Sequence, residues 1–351
     1  MMKFEIEIAD MAFGGDGVGR HDGQVVFVPF SAVGERLLVR VIGRKKDFLR
    51  AEIEEVLVPA AGRTEPRCPL FGRCGGCQYQ HLDYAEQLHI KKGQVSHALR
   101  RIGGVGEPCV GEIIPSPEPF GYRNRISVHA IGGKTGFVEC DQRSLVDVEN
   151  CLLASDEVNR KLAELRGRAH GTGHFSLREE ALPESGFCQS NRFLIERLRD
   201  EVERVFGGGG KLLFEGFCGN GFFTRVLARH FARIEACDTD GRCIKSAPAL
   251  PNVRWHCEEM ETVLANLEPD ACLVDPPREG LTASQISLLR EKKIGRMVYV
   301  SCHPATMARD IGRLCAGVGV GVPFHLESVQ PIDLFPQTAH IECISLLVSV
   351  G

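Results

Sequence analysis

Residues 211–223 read KLLFEGFCGNGFF, and residues 234–238 read IEACD. The first stretch opens on an apolar run, 211–214, and passes into a glycine turn, GFCGNG. A short apolar run bounded by turn signals suits a strand buried on both faces. The spacing predicts a helix over 222–232 and a second strand, 234–237, ending at Asp238. The same order recurs with a helix over 241–247, a strand 271–274 ending at Asp275, and a strand 297–300 ending at Ser301-Cys302. Upstream, a helix over 191–206 leads through Gly207–Gly210 into the first strand. Strands alternating with helices build a parallel, doubly wound sheet, whose ligands sit beyond the carboxyl ends of the strands.

That rule turns residue types into chemistry. Glycines at the turn let a nucleotide approach the backbone, and the helix N-terminus that follows is electropositive. Asp238 lies 23 residues past Glu215, at the next strand end, where an acid that binds ribose belongs. A nicotinamide dinucleotide favours G-x-G-x-x-G, whereas the spacing here is G-x-x-G-x-G, which suits S-adenosylmethionine better. In Asp275-Pro276-Pro277-Arg278 two prolines stiffen the loop and hold a carboxylate at the sheet edge. It could accept hydrogen bonds from a ligand or a base, or simply cap a helix. Cys302, in YVSCHP, stands at a strand end facing the crevice as a candidate nucleophile; a buried, inert thiol is the plainer reading. Glu342, in PQTAHIE, could be a general base, although alone such a residue is more often a solvated carboxylate.

Outward from this core, 351 residues exceed what one hydrophobic core holds, and three parts are expected: 1–58, 59–185 and 186–351. Segments 3–9, 25–30, 36–42 and 48–57 read as strands, with a turn signal at Gly14–Gly17. They suggest a small β-barrel of the oligonucleotide-binding kind. The net charge of −4 does not advertise a nucleic-acid binder, yet residues 40–50 gather Arg40, Arg44, Lys45, Lys46 and Arg50 against one acid, Asp47. Pro59 to Pro66 reads as a linker, and an amphipathic helix is expected over 83–103. Strand-like stretches near 125–131 and 135–139 and a helix near 156–167 make the middle part α+β.

The chain holds 15 cysteines, an odd number, and its start shows no apolar export segment, so reduced thiols and a cytoplasmic protein are expected. No apolar run approaches the roughly 18–20 residues that span a bilayer. Cys68, Cys74 and Cys77, spaced C-x5-C-x2-C, suit a metal whose binding the intervening glycines would permit. The uneven spacing favours a four-iron, four-sulfur cluster over zinc. A fourth ligand is required, and Cys109, Cys140 and Cys151 are candidates.

Taken in order, CPLFGRCGGC, YRNRISVH, FCQSN, FCGNG, DPPREG, YVSCHPATMARD and FPQTAHIE resemble the RNA uracil-5 methyltransferases over nearly the whole chain. GGDGVGRHDGQVVFVPFSAVGE, from Gly14 to Glu35, resembles a TRAM domain. A TRAM domain together with a cysteine cluster is more similar to the 23S ribosomal RNA branch than to the tRNA branch. The resemblance implies a Rossmann-like methyltransferase domain, preceded by a TRAM barrel and a central α+β iron–sulfur domain. It implies cluster ligands at Cys68, Cys74, Cys77 and Cys151, a nucleophile at Cys302 and a base at Glu342. It implies S-adenosylmethionine contacts at Gln189, Phe217, Asp238 and Asp275, with Glu259 a further adenine contact. The expected partner is RNA, ribosomal RNA ahead of tRNA, met by a monomer away from membranes. Phe222 and His303 stand where family members commonly carry Asn, which would suit an RNA-binding iron–sulfur protein with a degraded methyltransferase fold. A cytosine-5 RNA methyltransferase would also use a cysteine, but FPQTAHIE argues against it.

Overall fold

The computed structural model describes residues 2–140, 144–168, 171–180, 189–317 and 324–350. The chain forms two compact units, one of residues 1–94, 117–179 and 335–340, the other of residues 95–116, 180–334 and 341–351.

The first unit opens with six strands: β1 (Lys3–Glu7), β2 (Asp10–Met11), β3 (Asp16–His21), β4 (Gln24–Pro29), β5 (Arg36–Arg44) and β6 (Phe48–Val58). They form one sheet in the order β1-β5-β6-β4-β3-β2. Alternation along the strands sends Phe4, Ile6, Val26, Val28, Leu37 and Val39 into one apolar core. Just past β1, Ala9 N–H donates to Val18 O of β3 at 2.9 Å, so the sheet curls round towards a barrel. Met11 and Ala32 share a second core with Tyr79, Leu82 and Ile90, so the strands and the segment after them fold as one body. Helix α1 (Tyr84–Arg101) follows. Strands β7 (Arg125–Ile131), β8 (Lys134–Val138) and β9 (Leu145–Asp147), helix α2 (Asp156–Gly167) and strand β10 (Gly173–Arg178) complete this part, the sheet running β10-β7-β8-β9, all antiparallel. Ile126, Val128 and Val146 pack on Val158 and Leu162 of α2. The Ser155 hydroxyl caps that helix by accepting from Val158 N–H.

The second unit contains α3 (Ile195–Phe206), β11 (Gly210–Gly216), α4 (Thr224–Leu227), β12 (Phe231–Cys237), α5 (Gly241–Lys245), β13 (Val253–His256), α6 (Met260–Ala265) and β14 (Ala271–Val274). Then come α7 (Ala283–Glu291), β15 (Arg296–Ser301), α8 (Pro304–Cys315), β16 (Phe324–Ile332) and β17 (Glu342–Ser349). The sheet order is β13-β12-β11-β14-β15-β17-β16, with β17 antiparallel to both of its neighbours and the other pairs parallel. All four residues of β14 are buried, as the continuous apolar run requires. The helix expected over 222–232 is only α4, residues Thr224–Leu227. Phe231 joins the sheet opposite Gly210 and meets the Phe206 ring edge-on at 5.8 Å, so burial of this aromatic ends the helix early. Among the described residues no helix is long and apolar enough to cross a membrane.

Candidate active site

The sheet of the second unit puts the chemistry on one edge. Gly216, the last residue of β11, lies opposite Cys237 of β12 and Val274 of β14, and Val274 lies opposite Tyr299 of β15. Phe217, Asp238 and Asp275 therefore leave the sheet from adjoining strand ends, and Cys302 follows the end of β15. Strand β17 runs the other way, with Cys343 opposite Ser301, so Glu342 begins its strand beside Cys302. Gln189 is buried and two residues before Asn191, whose amide donates to Ser116 Oγ at 3.0 Å and to Leu334 O at 3.2 Å. Leu334 lies just beyond Ile332, the partner of Glu342, so Gln189 belongs near the same edge. The first two residues of FCQSN, 187 and 188, lie outside the described residues.

Electrostatics tie the group together. Burial pushes the Cys302 thiol up to about 11, and the charges of Glu342 and Asp275 add to this, while the Arg278 guanidinium opposes it by charge and by a hydrogen bond. Glu342 is raised well above the usual carboxylate range, by burial first and by Asp275 second. Asp275 is itself raised by burial. Cys302 thus has a cation to favour its thiolate, and Glu342 is a stronger base than a solvated carboxylate. Arg278 stood in the DPPREG motif without a role; its place one turn past the strand-end acid was the available signal.

The loop carrying Asp275 and Arg278 is firmly fixed. Gly280 N–H donates to Pro277 O at 2.8 Å, and Arg309 donates to Glu279 O at 2.7 Å. Buried Asp310 accepts from Leu281 N–H and from the Tyr299 hydroxyl, both at 2.8 Å. His303 caps α8: its Nδ1 accepts from Thr306 N–H at 3.2 Å, with Thr306 Oγ1 at 2.9 Å and Pro304 opening the helix. Burial and the nearby Arg278 lower its pKa, which keeps the ring neutral and able to accept. An Asn at this position would cap in the same way.

At the glycine turn Phe217 adopts φ +61°, and Cys218 N–H donates to Cys237 O at 3.0 Å. Asp238 accepts from Gly219 N–H at 2.9 Å and from Asp240 N–H at 2.8 Å, which fixes its carboxylate against the turn. A Cβ on Gly221 would lie 2.4 Å from the Trp255 ring, so only glycine fits there. Phe222 packs against Phe223 and lies under the Arg199 guanidinium at 4.5 Å. Glu215 is fully buried and held at about 8 by that burial; one of its oxygens accepts from the Thr224 hydroxyl at 2.7 Å, and Oε1 has no hydrogen-bond partner. Glu259 is exposed at the start of α6.

In the first unit Cys68, Cys74, Cys77 and Cys151 line one cavity of about 70 Å3, together with Arg123 and Phe137. Of the three cysteines left open by the spacing, only Cys151 reaches it. Cys140 is exposed with its thiol on Cys74 O, and Cys109 belongs to the second unit. Burial pushes Cys74 to about 11 and Cys77 to about 12, so as bare thiols they stay protonated. Among the described residues no group of three or more His, Cys, Asp or Glu side chains is arranged to hold a metal ion.

The basic hairpin is partly neutralised at home. Arg40 pairs with Glu52 and Glu54, and Arg50 with Asp16. Arg44, Lys45 and Lys46 are exposed at the β5–β6 turn and, among the described residues, make no ion pair. A cleft of about 1010 Å3 in the same unit is lined by Phe30, Ile42, Arg50, Arg73, Ser127 and His129 among others.

A doubly wound sheet with a glycine turn after β11 and acids at the next strand ends defines a Rossmann-like methyltransferase fold. A family model described as tRNA (Uracil-5-)-methyltransferase matches residues 245–350, and one described as TRAM domain matches residues 3–53. An uncharacterized RNA methyltransferase of Bdellovibrio bacteriovorus is 30% identical, covering 98% of this chain and 95% of that protein. One of Aquifex aeolicus is 31% identical, covering 98% of each. The chain belongs to the RNA uracil-5 methyltransferase family, in a form that carries a TRAM domain. Its fold is shared by the crystal structure of the Pyrococcus abyssi tRNA (uracil-54, C5)-methyltransferase in complex with S-adenosyl-L-homocysteine, with a TM-score of 0.72 at 22% identity, over 99% of this chain and 100% of that one.

Proposed function

We propose that this protein transfers a methyl group from S-adenosylmethionine to C5 of a uridine in RNA, through a covalent adduct on Cys302. The observation that carries the reading is the meeting of Cys302, Glu342, Asp275 and Arg278 at one sheet edge. Uracil C5 is a poor nucleophile. Addition of the Cys302 thiolate to C6 opens the C5–C6 double bond and leaves an enolate, which makes C5 nucleophilic. S-adenosylmethionine, when bound, supplies an electrophilic methyl group. Glu342 then takes the proton from C5, the C5–C6 double bond re-forms, and the C6–S bond breaks to return Cys302. Arg278 favours the thiolate at the start and at the end.

The glycine turn fits this cofactor: Glu215 Oε1 is an orphaned buried acceptor beside it, and Asp238 closes the adjoining strand end. Gln189, Phe217, Asp238 and Asp275 would hold the cofactor, with Glu259 at the adenine end. Cys68, Cys74, Cys77 and Cys151 would be the ligands of a four-iron, four-sulfur cluster, a reading supported by their lining one cavity. In this reading residues 1–58 bind RNA, 59–185 hold the cluster and 186–351 catalyse, in a cytoplasmic monomer. A TRAM domain beside four clustered cysteines supports 23S ribosomal RNA over tRNA as the substrate. The target base must leave its stack, at a cost of a few kcal/mol.

The test is a pair of substitutions that must fail differently. Cys302→Ala should bind RNA and form no adduct. Glu342→Gln should add to C6 and methylate but stall, leaving a methylated protein–RNA adduct that survives denaturing electrophoresis. The unaltered protein should be trapped by 5-fluorouridine RNA, because fluorine cannot leave as a proton. Normal turnover by Glu342→Gln would show that the base is assigned wrongly. Nucleoside analysis of ribosomal RNA and tRNA, with and without the gene, decides between the two substrates.

A further inference from the structure

We propose that Gln87 is a positioning residue for the C5 proton-removal step, because its side chain clamps the strap 335–340 from which the chain enters Glu342; this rests on the role of Glu342 given above. The strap reads FPQTAH and belongs to the first unit. Two residues past its end stands Glu342, so the path on which the chain enters β17 is inherited from the strap.

The strap holds part of its shape itself, Thr338 donating to Phe335 O from its N–H at 3.2 Å and from its hydroxyl at 2.8 Å, but the turn at Gln337 is held from outside. Gln337 sits at φ +70°, a left-handed conformation that costs a non-glycine residue and persists only where its surroundings impose it. Those surroundings come from a segment some 250 residues away in sequence. Gln78 N–H and Tyr79 N–H both donate to Gln337 O at 3.0 Å. Gln87 grips the same residue twice: its Oε1 accepts from Gln337 N–H at 2.9 Å, and its Nε2 donates to Gln337 Oε1 at 3.0 Å. The Gln87 amide is oriented in turn by Tyr79 O and Leu82 O, at 3.2 and 2.9 Å. Lys91 donates to Phe335 O at 3.1 Å, the Tyr122 hydroxyl to Pro336 O at 3.0 Å, and Ala339 N–H to Gln78 Oε1 at 3.2 Å.

Gln87, Lys91 and Tyr122 are all wholly buried, so water does not replace what they provide. This is polar investment of a kind that a merely structural loop does not require. A covered hairpin connection can be packed with apolar side chains, whereas here three of the strap's carbonyls and two of its amides are bonded from outside it. Fixing backbone direction is what a base needs, since a 1 Å misplacement far from the chemistry can cost about a hundredfold in rate. Addition at C6 depends on Cys302, which follows β15 and does not descend from the strap. Loosening the strap should therefore slow elimination and spare addition.

The experiment compares Gln87→Leu and Tyr122→Phe with the unaltered protein and with Glu342→Gln, all as full chains. Two quantities are measured: the rate of trapping on 5-fluorouridine RNA, which reports addition and methyl transfer, and the lifetime of the methylated adduct on ordinary uridine RNA, which reports elimination. Tyr122→Phe removes a single hydroxyl and keeps the test valid if Gln87→Leu folds poorly. Elimination should slow by about a hundredfold in Gln87→Leu and about tenfold in Tyr122→Phe, while trapping stays within about threefold of the unaltered rate. Equal slowing of both steps would make the clamp general support for the fold and overturn the proposal. An unchanged adduct lifetime in both variants would overturn it too, with the base assignment intact if Glu342→Gln still stalls. If Glu342→Gln does not stall, the base assignment falls and the clamp's role falls with it.

Discussion

Replacing Gly280 with alanine should loosen the loop that carries Asp275 and Arg278, and the structure gives the size of the effect. Gly280 has φ +77°, and a Cβ there would lie 2.2 Å from Asp310 Oδ2 and 2.4 Å from Thr306 Cγ2. The backbone term alone is about 1–2 kcal/mol for a residue with a Cβ. The clash cannot be relieved cheaply, because that Asp310 oxygen accepts from both Leu281 N–H and the buried Tyr299 hydroxyl. Moving it strands one or both donors, at about 1–3 kcal/mol each. The expected loss is therefore about 2–8 kcal/mol, or roughly 4 °C or more in melting temperature at about 2–4 °C per kcal/mol for a unit of this size. The chain's single tryptophan, Trp255 in β13, makes fluorescence-detected urea melts report on the second unit. Trapping on fluorinated RNA reports separately on the loop. Asp310→Ala in the same background supplies the check: with the carboxylate gone, the added methyl should cost less, its backbone share and the remaining contact with Thr306. A loss below about 1 kcal/mol for Gly280→Ala, or costs that simply add in the double variant, would refute this account.

Three further outcomes are expected. Protein purified without oxygen should hold about four irons per chain, as a four-iron, four-sulfur cluster requires, and Cys151→Ser should lose them while Cys140→Ser keeps them; stoichiometric zinc without iron would exclude the cluster. Because the Cys302 thiol is held near 11 and Arg278 pulls it down, the rate of trapping should rise with pH across the neutral range, and Arg278→Met should displace that limb to higher pH; superimposable profiles would remove Arg278 from its role. Lys45→Ala with Lys46→Ala should weaken RNA binding and flatten its salt dependence by about one unit of slope for each phosphate no longer neutralised, leaving S-adenosylmethionine affinity unchanged in calorimetry; an unaltered slope would show that the hairpin stays clear of RNA.

The parts of this molecule that were legible in its sequence are those where one local pattern has one physical meaning. Strand β14 is apolar throughout because both its faces are covered, and that run could be read without knowing its neighbours. The same holds for Asp238, Asp275 and Cys302, whose places follow from the rule that ligands gather at the carboxyl ends of parallel strands. What could not be read depends on partners chosen by folding. The hairpin at 40–50 shows five cations, but only the β5–β6 register, which sets Arg40 opposite Glu52, reveals that Arg40 is already neutralised. Helix α4 stops after four residues because Phe231 is claimed by the sheet, a competition that helical spacing does not record. Gln87 is the sharpest case. On an amphipathic helix a glutamine reads as part of the solvated face, yet this one is wholly buried. A polar side chain tolerates such burial only when its hydrogen bonds are met, and Gln87 meets them on a strap 250 residues downstream. The order of strands and helices finds the residues that the fold delivers to one sheet edge; a buried polar side chain such as Gln87 is recognised by whom it bonds, and that is settled only when distant segments meet.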